Sequence, residues 1–141
     1  MYKLKTNASF DSAHFLAGYD GKCANIHGHT WNIEVTVSGE ELISSGQERG
    51  MLIDFSELKK LVRSIADSLD HTFIYETGSL RDTTVAALES EGFKLTAVAF
   101  RPTAENFARY ISDRLTQNGL PVSSVTVYET KDNCAVYEVE K

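Results

Sequence analysis

Two stretches near the start of the chain alternate apolar and polar side chains with a period of two. Residues 2–12, YKLKTNASFDS, do so loosely, and residues 30–38, TWNIEVTVS, do so clearly through Ile33, Val35 and Val37. Each pattern predicts a strand with one buried face. The stretch LAGYDGKCAN between them reads as a surface loop that delivers Cys23 to the second strand. A polar segment, GEELISSGQERG, then turns into a short apolar run, MLIDF. There the period changes. Asp54 stands three residues before Glu57, a capping box, and Leu58, Leu61, Val62, Ile65 and Leu69 recur at spacings of three and four, one buried helical stripe. The helix is expected to stop near LDHTF.

Residues 77–94 read as a loop, a short helix around VAALES and a stop at Gly92, and LTAVAF as a short strand. Pro102 opens a second clear helix with Thr103 as its N-cap. Phe107, Ile111 and Leu115 mark its inner face, and Gly119 with Pro121 ends it. The tail is a hairpin of VSSVTVYET, a KDN turn and CAVYEVE. The order is an α+β one, antiparallel neighbours with helices on one face.

Length and composition narrow the classes. A chain of 141 residues suits one domain, 1–141, and 42% hydrophobic with 24% charged residues is a globular composition. A formal charge of -6 argues against nucleic-acid and anionic-membrane partners, which need a basic surface. A small substrate is the expected partner, met by local cations such as Lys22 and Arg101 if it is anionic. The opening MYKLKTNASF has no signal-like apolar run and no stretch approaches a membrane span, so the cytoplasm is the expected compartment. Two cysteines make no disulfide framework, and Cys134, in a strand-like run, reads as a small buried hydrophobe.

The chain has four histidines: His14, His27, His29 and His71. Residues two apart on a strand share a face, so His27 and His29 present their rings side by side with Gly28 between them. His14, at the end of the preceding strand, supplies a third nitrogen if the strands pair. Three histidines hold zinc with a coordination position open to substrate oxygens, whereas Cys23 as a fourth ligand would close it. Histidines on a half-exposed strand also occur as ordinary surface residues. Asp70 and His71 adjoin a helix end, where His71 either caps carbonyls or is tuned by Asp70 for proton transfer.

FDSAHF around His14, CANIHGH, LDH at 69–71, PTAEN at 102–106 and VYET at 127–130 come in one order across most of the chain. Together they resemble the 6-pyruvoyltetrahydropterin synthase family. Only three residues separate Cys23 from the HGH. That gap is similar to the bacterial branch whose product is a carboxy-tetrahydropterin of queuosine synthesis; the pyruvoyl branch has a longer gap. A folate-serving branch has glutamate where Cys23 stands.

The resemblance implies His14, His27 and His29 as zinc ligands. It implies Cys23 as a catalytic acid/base acting with Asp70 and His71, and Glu129 as the anchor of the pterin ring. Thr103 and Glu105 fall in the implied pterin pocket, although each also suits a helix start, and Glu129 also suits a solvated strand. The implied substrate is 7,8-dihydroneopterin triphosphate. The implied fold is the tunnelling fold, with an antiparallel sheet and two stacked trimers forming a homohexamer. Its sites lie between subunits, so Cys23 is expected to meet Asp70 and His71 of another chain. The stretch from Thr77 to Phe100 is longer than in compact bacterial members, and Lys22 is a candidate for the triphosphate. The rival readings are a pyruvoyltetrahydropterin synthase and a non-catalytic zinc module in which Cys23 closes the site.

Overall fold

Two thirteen-residue strands, β1 (Tyr2–His14) and β2 (His27–Gly39), pair antiparallel along their full length, from Tyr2 against Gly39 to His14 against His27. The structure is a computed structural model and describes residues 1–140. Both strands run past the alternation seen in the sequence, so the histidines lie inside the ladder. The chain continues through α1 (Phe55–Leu69), β3 (Thr72–Glu76), α2 (Asp82–Ser90), β4 (Leu95–Val98), α3 (Ala104–Gln117), β5 (Val122–Tyr128) and β6 (Cys134–Glu138). The six strands form one sheet in the order β4-β3-β1-β2-β5-β6.

The expected antiparallel order holds for β1, β2, β5 and β6. The sheet as a whole is mixed, because β3 runs parallel to β1 through Ser12–Thr72 and Ala13–Phe73, and β4 parallel to β3. β3 itself, TFIYE, was not anticipated. Phe73, Ile74 and Tyr75 are consecutive apolar residues, with neighbours Ile74 and Tyr75 both buried, so the period-two signal is absent, as expected for parallel strands covered on both faces.

α1 packs on β1, and α3 on β5 and β6. Leu58, Val62, Ile65 and Leu69 of α1 are buried, as are Phe107, Ile111 and Leu115 of α3, against Trp31, Ile33, Val35 and Val37 of β2. Burial of each such side chain contributes roughly 1.5–3 kcal/mol. Leu61 is only partly buried. Asp54 and Thr103 are the N-caps as predicted, but the capping box is not closed, since Glu57 meets Asp54 only through its backbone N–H. Asp54 Oδ1 accepts from the Ser56 N–H at 2.8 Å, and Thr103 Oγ1 from the Asn106 N–H at 3.2 Å. Gly92 and Gly119, both at φ +88°, take the left-handed turn after α2 and α3 that glycine allows without a Cβ clash. The reading of Cys134 as buried is overturned, since it is exposed at the start of edge strand β6. Among the described residues no helix is long and apolar enough to cross a membrane.

Candidate metal centre and active site

The β1–β2 register builds the centre. His14 stands opposite His27, and Ser12 opposite His29, on the face that also carries Phe10 and Trp31. The ligand-capable atoms of His14, His27 and His29 lie within 4.8 Å of one another. Trp31 is the floor, its ring 5.0 Å from that of His14 and 5.4 Å from that of His29, and in the core it stacks on Phe10 and meets Phe107 edge to face.

Two backbone carbonyls set the tautomers. His14 Nδ1–H donates to Pro102 O at 2.8 Å, and His27 Nδ1–H to Asn25 O at 2.7 Å. A carbonyl only accepts, so each Nδ1 carries the proton, and in the neutral ring Nε2 is left with a lone pair. These two Nε2 atoms face each other at 3.1 Å. Two lone pairs at that distance repel unless a proton or a cation lies between them.

The surroundings disfavour the proton. Burial pushes His14 down to about 4; the nearby His27 and His29 push the same way, against the raising effect of the Pro102 hydrogen bond. Burial also lowers His29, helped by His27 and opposed by the Glu129 carboxylate. His29 Nε2 is buried without a hydrogen-bond partner, Glu129 Oε1 approaching to 3.4 Å without bonding alignment. Two converging Nε2 lone pairs beside an unpartnered His29 Nε2 fit a small divalent cation. Zinc–nitrogen bonds of about 2.0–2.1 Å in tetrahedral array would set the nitrogens roughly 3.3 Å apart. Nδ1-to-carbonyl bonds are also the usual outer support of histidine ligands. The two carbonyls were invisible to sequence reasoning because no side chain marks them.

Cys23 is half-buried within a single 3-10 turn, Lys22–Ala24, and its carbonyl accepts from the Leu16 N–H at 2.9 Å. Its sulfur lies outside the histidine cluster. A Cβ at Gly28 would meet only Ser12 O at 3.7 Å, an ordinary contact.

Asp70, the C-cap of α1, divides its carboxylate between two donors. Oδ1 accepts from the Asp11 N–H at 2.8 Å, and Oδ2 from His71 Nδ1 at 2.9 Å. The His71 ring therefore serves Asp70 rather than capping helix carbonyls. The Asp11 bond first, then His71, holds Asp70 below the usual carboxylate range, while the Asp70 bond and charge raise His71, with Asp11 adding its charge. His71 has φ +54°, uncommon for a residue with a Cβ, and its N–H is tied to Asp11 O at 2.6 Å. A strained backbone of this kind costs of order 1–3 kcal/mol and clusters at functional sites.

A cleft of about 720 Å³ brings His29 and His71 together with apolar walls from Ile26, Phe73, Leu88 and Phe93. Leu88, Phe93 and Lys94 come from the long 77–100 stretch, which thus walls the site. A neighbouring pocket of about 440 Å³ unites Glu105 and Glu129. Cys23 and Lys22 line neither. The Thr103 hydroxyl is engaged as the α3 cap.

The chain as a whole is similar to known proteins. Residues 3–140 match the family described as 6-pyruvoyl tetrahydropterin synthase. The chain is 43% identical to a 6-carboxy-5,6,7,8-tetrahydropterin synthase from Haemophilus influenzae, over 98% of this chain and 99% of that one. It is 33% identical to a protein of the same description from Synechocystis sp., over 97% and 93%. Among solved structures, an uncharacterized protein from Wolinella succinogenes superposes with a TM-score of 0.78 at 22% identity, covering 99% of this chain and 98% of that one. The 6-pyruvoyl tetrahydropterin synthase of Caenorhabditis elegans does so at 0.69 and 25% identity, covering 99% and 96%.

Proposed function

The chain belongs to the 6-pyruvoyl tetrahydropterin synthase family, and from that premise we propose that it converts 7,8-dihydroneopterin triphosphate to 6-carboxy-5,6,7,8-tetrahydropterin. One water is consumed, acetaldehyde and triphosphate leave, and His14, His27 and His29 would hold zinc. The observation that carries the metal reading is the pair of Nε2 lone pairs facing each other at 3.1 Å beside an unpartnered His29 Nε2. The three-residue gap between Cys23 and His27, together with the Haemophilus relative, favours the carboxy product over the pyruvoyl one.

Bound there, zinc would supply Lewis-acid polarisation of the substrate's side-chain oxygens. The chain's own groups do the rest. Glu129, beside His29, accepts hydrogen bonds from the N–H groups of the pterin ring, with Glu105 on the wall of its pocket and Thr103 next in sequence to the lining residue Ala104. Cys23 takes a proton from the substrate side chain. His71, whose hold on its proton the Asp70 carboxylate strengthens, returns one.

Two features support a shared site in a homohexamer of two stacked trimers. Cys23 does not line the cleft that holds His71, and Ile26 and Phe93 on its walls are 61% and 60% exposed in the single chain. The reading places the enzyme in the cytoplasm, supplying queuosine synthesis.

The test is to incubate zinc-loaded protein with 7,8-dihydroneopterin triphosphate and weigh the products. A carboxy-pterin with acetaldehyde supports the reading. A pterin that keeps its three-carbon side chain assigns the pyruvoyl branch, and absence of turnover with Cys23 protected from alkylation assigns the closed zinc module.

A further inference from the structure

We propose that Arg101 is a positioning residue that, through Tyr19, holds the Cys23 loop in register with the three histidines. Its guanidinium Nη2–H donates to Ala17 O at 2.7 Å, and its central carbon lies 5.8 Å from the centroid of the Tyr19 ring. Both partners belong to the loop between β1 and β2. That loop is closed on itself: the Leu16 N–H donates to Cys23 O at 2.9 Å, the Tyr19 N–H to Leu16 O at 3.3 Å, and the Asn25 N–H to Lys22 O at 3.1 Å. Pulling Ala17 and Tyr19 toward Arg101 therefore fixes Leu16, and Leu16 fixes Cys23.

The anchor on the other side is firm. Arg101 O accepts from the Thr103 N–H at 2.8 Å and from Asn106 Nδ2 at 2.9 Å, which seats it on the start of α3. The next residue, Pro102, supplies the carbonyl that orients His14. One corner of chain thus sets both the ring of His14 and the loop that carries Cys23.

Gly21 points the same way from an independent direction. A Cβ built on it would lie 2.7 Å from Cε1 of Tyr19, so any side chain must push that ring off its place under Arg101. A planar guanidinium both donates in plane and stacks on an aromatic face, and a lysine ammonium does not reproduce the pair of contacts. The consequence for turnover rests on Cys23 as the reagent, but the position of the loop does not.

The test compares alkylation of the two cysteines by iodoacetamide in full-length protein reconstituted with zinc. Cys134, exposed on β6, is the internal reference. Arg101→Ala is expected to raise the Cys23-to-Cys134 rate ratio on the order of tenfold, as loss of a charge-assisted bond lets the loop open. Zinc content stays unchanged, and Arg101→Lys lies between wild type and Arg101→Ala. Gly21→Ala shifts the ratio the same way, and Tyr19→Leu carries the test if Arg101→Ala does not fold. A ratio that is unchanged or lowered in these variants overturns the proposal. Should the ratio rise while Cys23→Ala remains active, the clamp stands and the catalytic reading of Cys23 falls.

Discussion

The histidine trio is set by strand register and closed in by Trp31, with His14 1% exposed, whereas the Asp70–His71 pair stands in solvent at a helix end, the His71 side chain 77% exposed. In the first region every preference agrees. Regular pairing aligns the rings, carbonyls fix the tautomers of His14 and His27, and burial disfavours the proton on His14 and His29, which is the preorganisation a metal site needs. In the second, a strained φ and three bonds to Asp11 and Asp70 hold a ring that little else covers. Under the proposed proton-carrying role, such a ring would take its low-dielectric surroundings from elsewhere, from substrate or a neighbouring chain. The difference teaches that one region is built to hold its charge state and the other to change it.

The contrast breaks first at the trio. His27→Ala should reduce metal to trace occupancy and lower turnover by more than the roughly 10–100-fold that loss of an outer supporting group costs. Metal analysis of the purified variant checks this. A variant that keeps its zinc would remove the trio from the account.

A smaller effect is expected at the dyad. Asp70→Asn should keep full metal occupancy and lower kcat by roughly 10–100-fold, part of what a positioned acid supplies. Its pH dependence has a definite sign. The Asp70 carboxylate raises His71, so His71 acts as an acid up to a pH above its ordinary 6.5 and loses that role as pH rises further. Without the carboxylate the raising interaction is gone, and the alkaline limb of the kcat profile should move to lower pH. A limb that stays in place would detach His71 from proton transfer.

The smallest effect sharpens the comparison by touching neither region. Asp54→Ala removes the α1 cap and should cost about 1 kcal/mol, read as a lower denaturation midpoint. Metal content and pH profile should not change.

The trio was legible in part, because strand periodicity puts His27 and His29 on one face, while His14 joined them only if the strands paired and the ligand assignment rested on the family resemblance. Both main helices were legible for the same reason, their stripes and caps being local signals. β3 was not, since three adjacent apolar residues carry no period. The Pro102 and Asn25 carbonyls, the Asp11 backbone bonds and the wall from Leu88 and Phe93 all depend on chain segments distant in sequence. Cys134 misled because edge position belongs to topology, and alternation does not reveal it.

The central claim is that the histidines hold the metal while Cys23 faces it as a reagent. The most direct measurement is the zinc content and turnover of Cys23→Ala side by side. The account predicts a zinc-full protein whose turnover falls by roughly 10²–10⁴, the usual contribution of a positioned acid or base. A variant as zinc-depleted as His27→Ala would make Cys23 a ligand and contradict it.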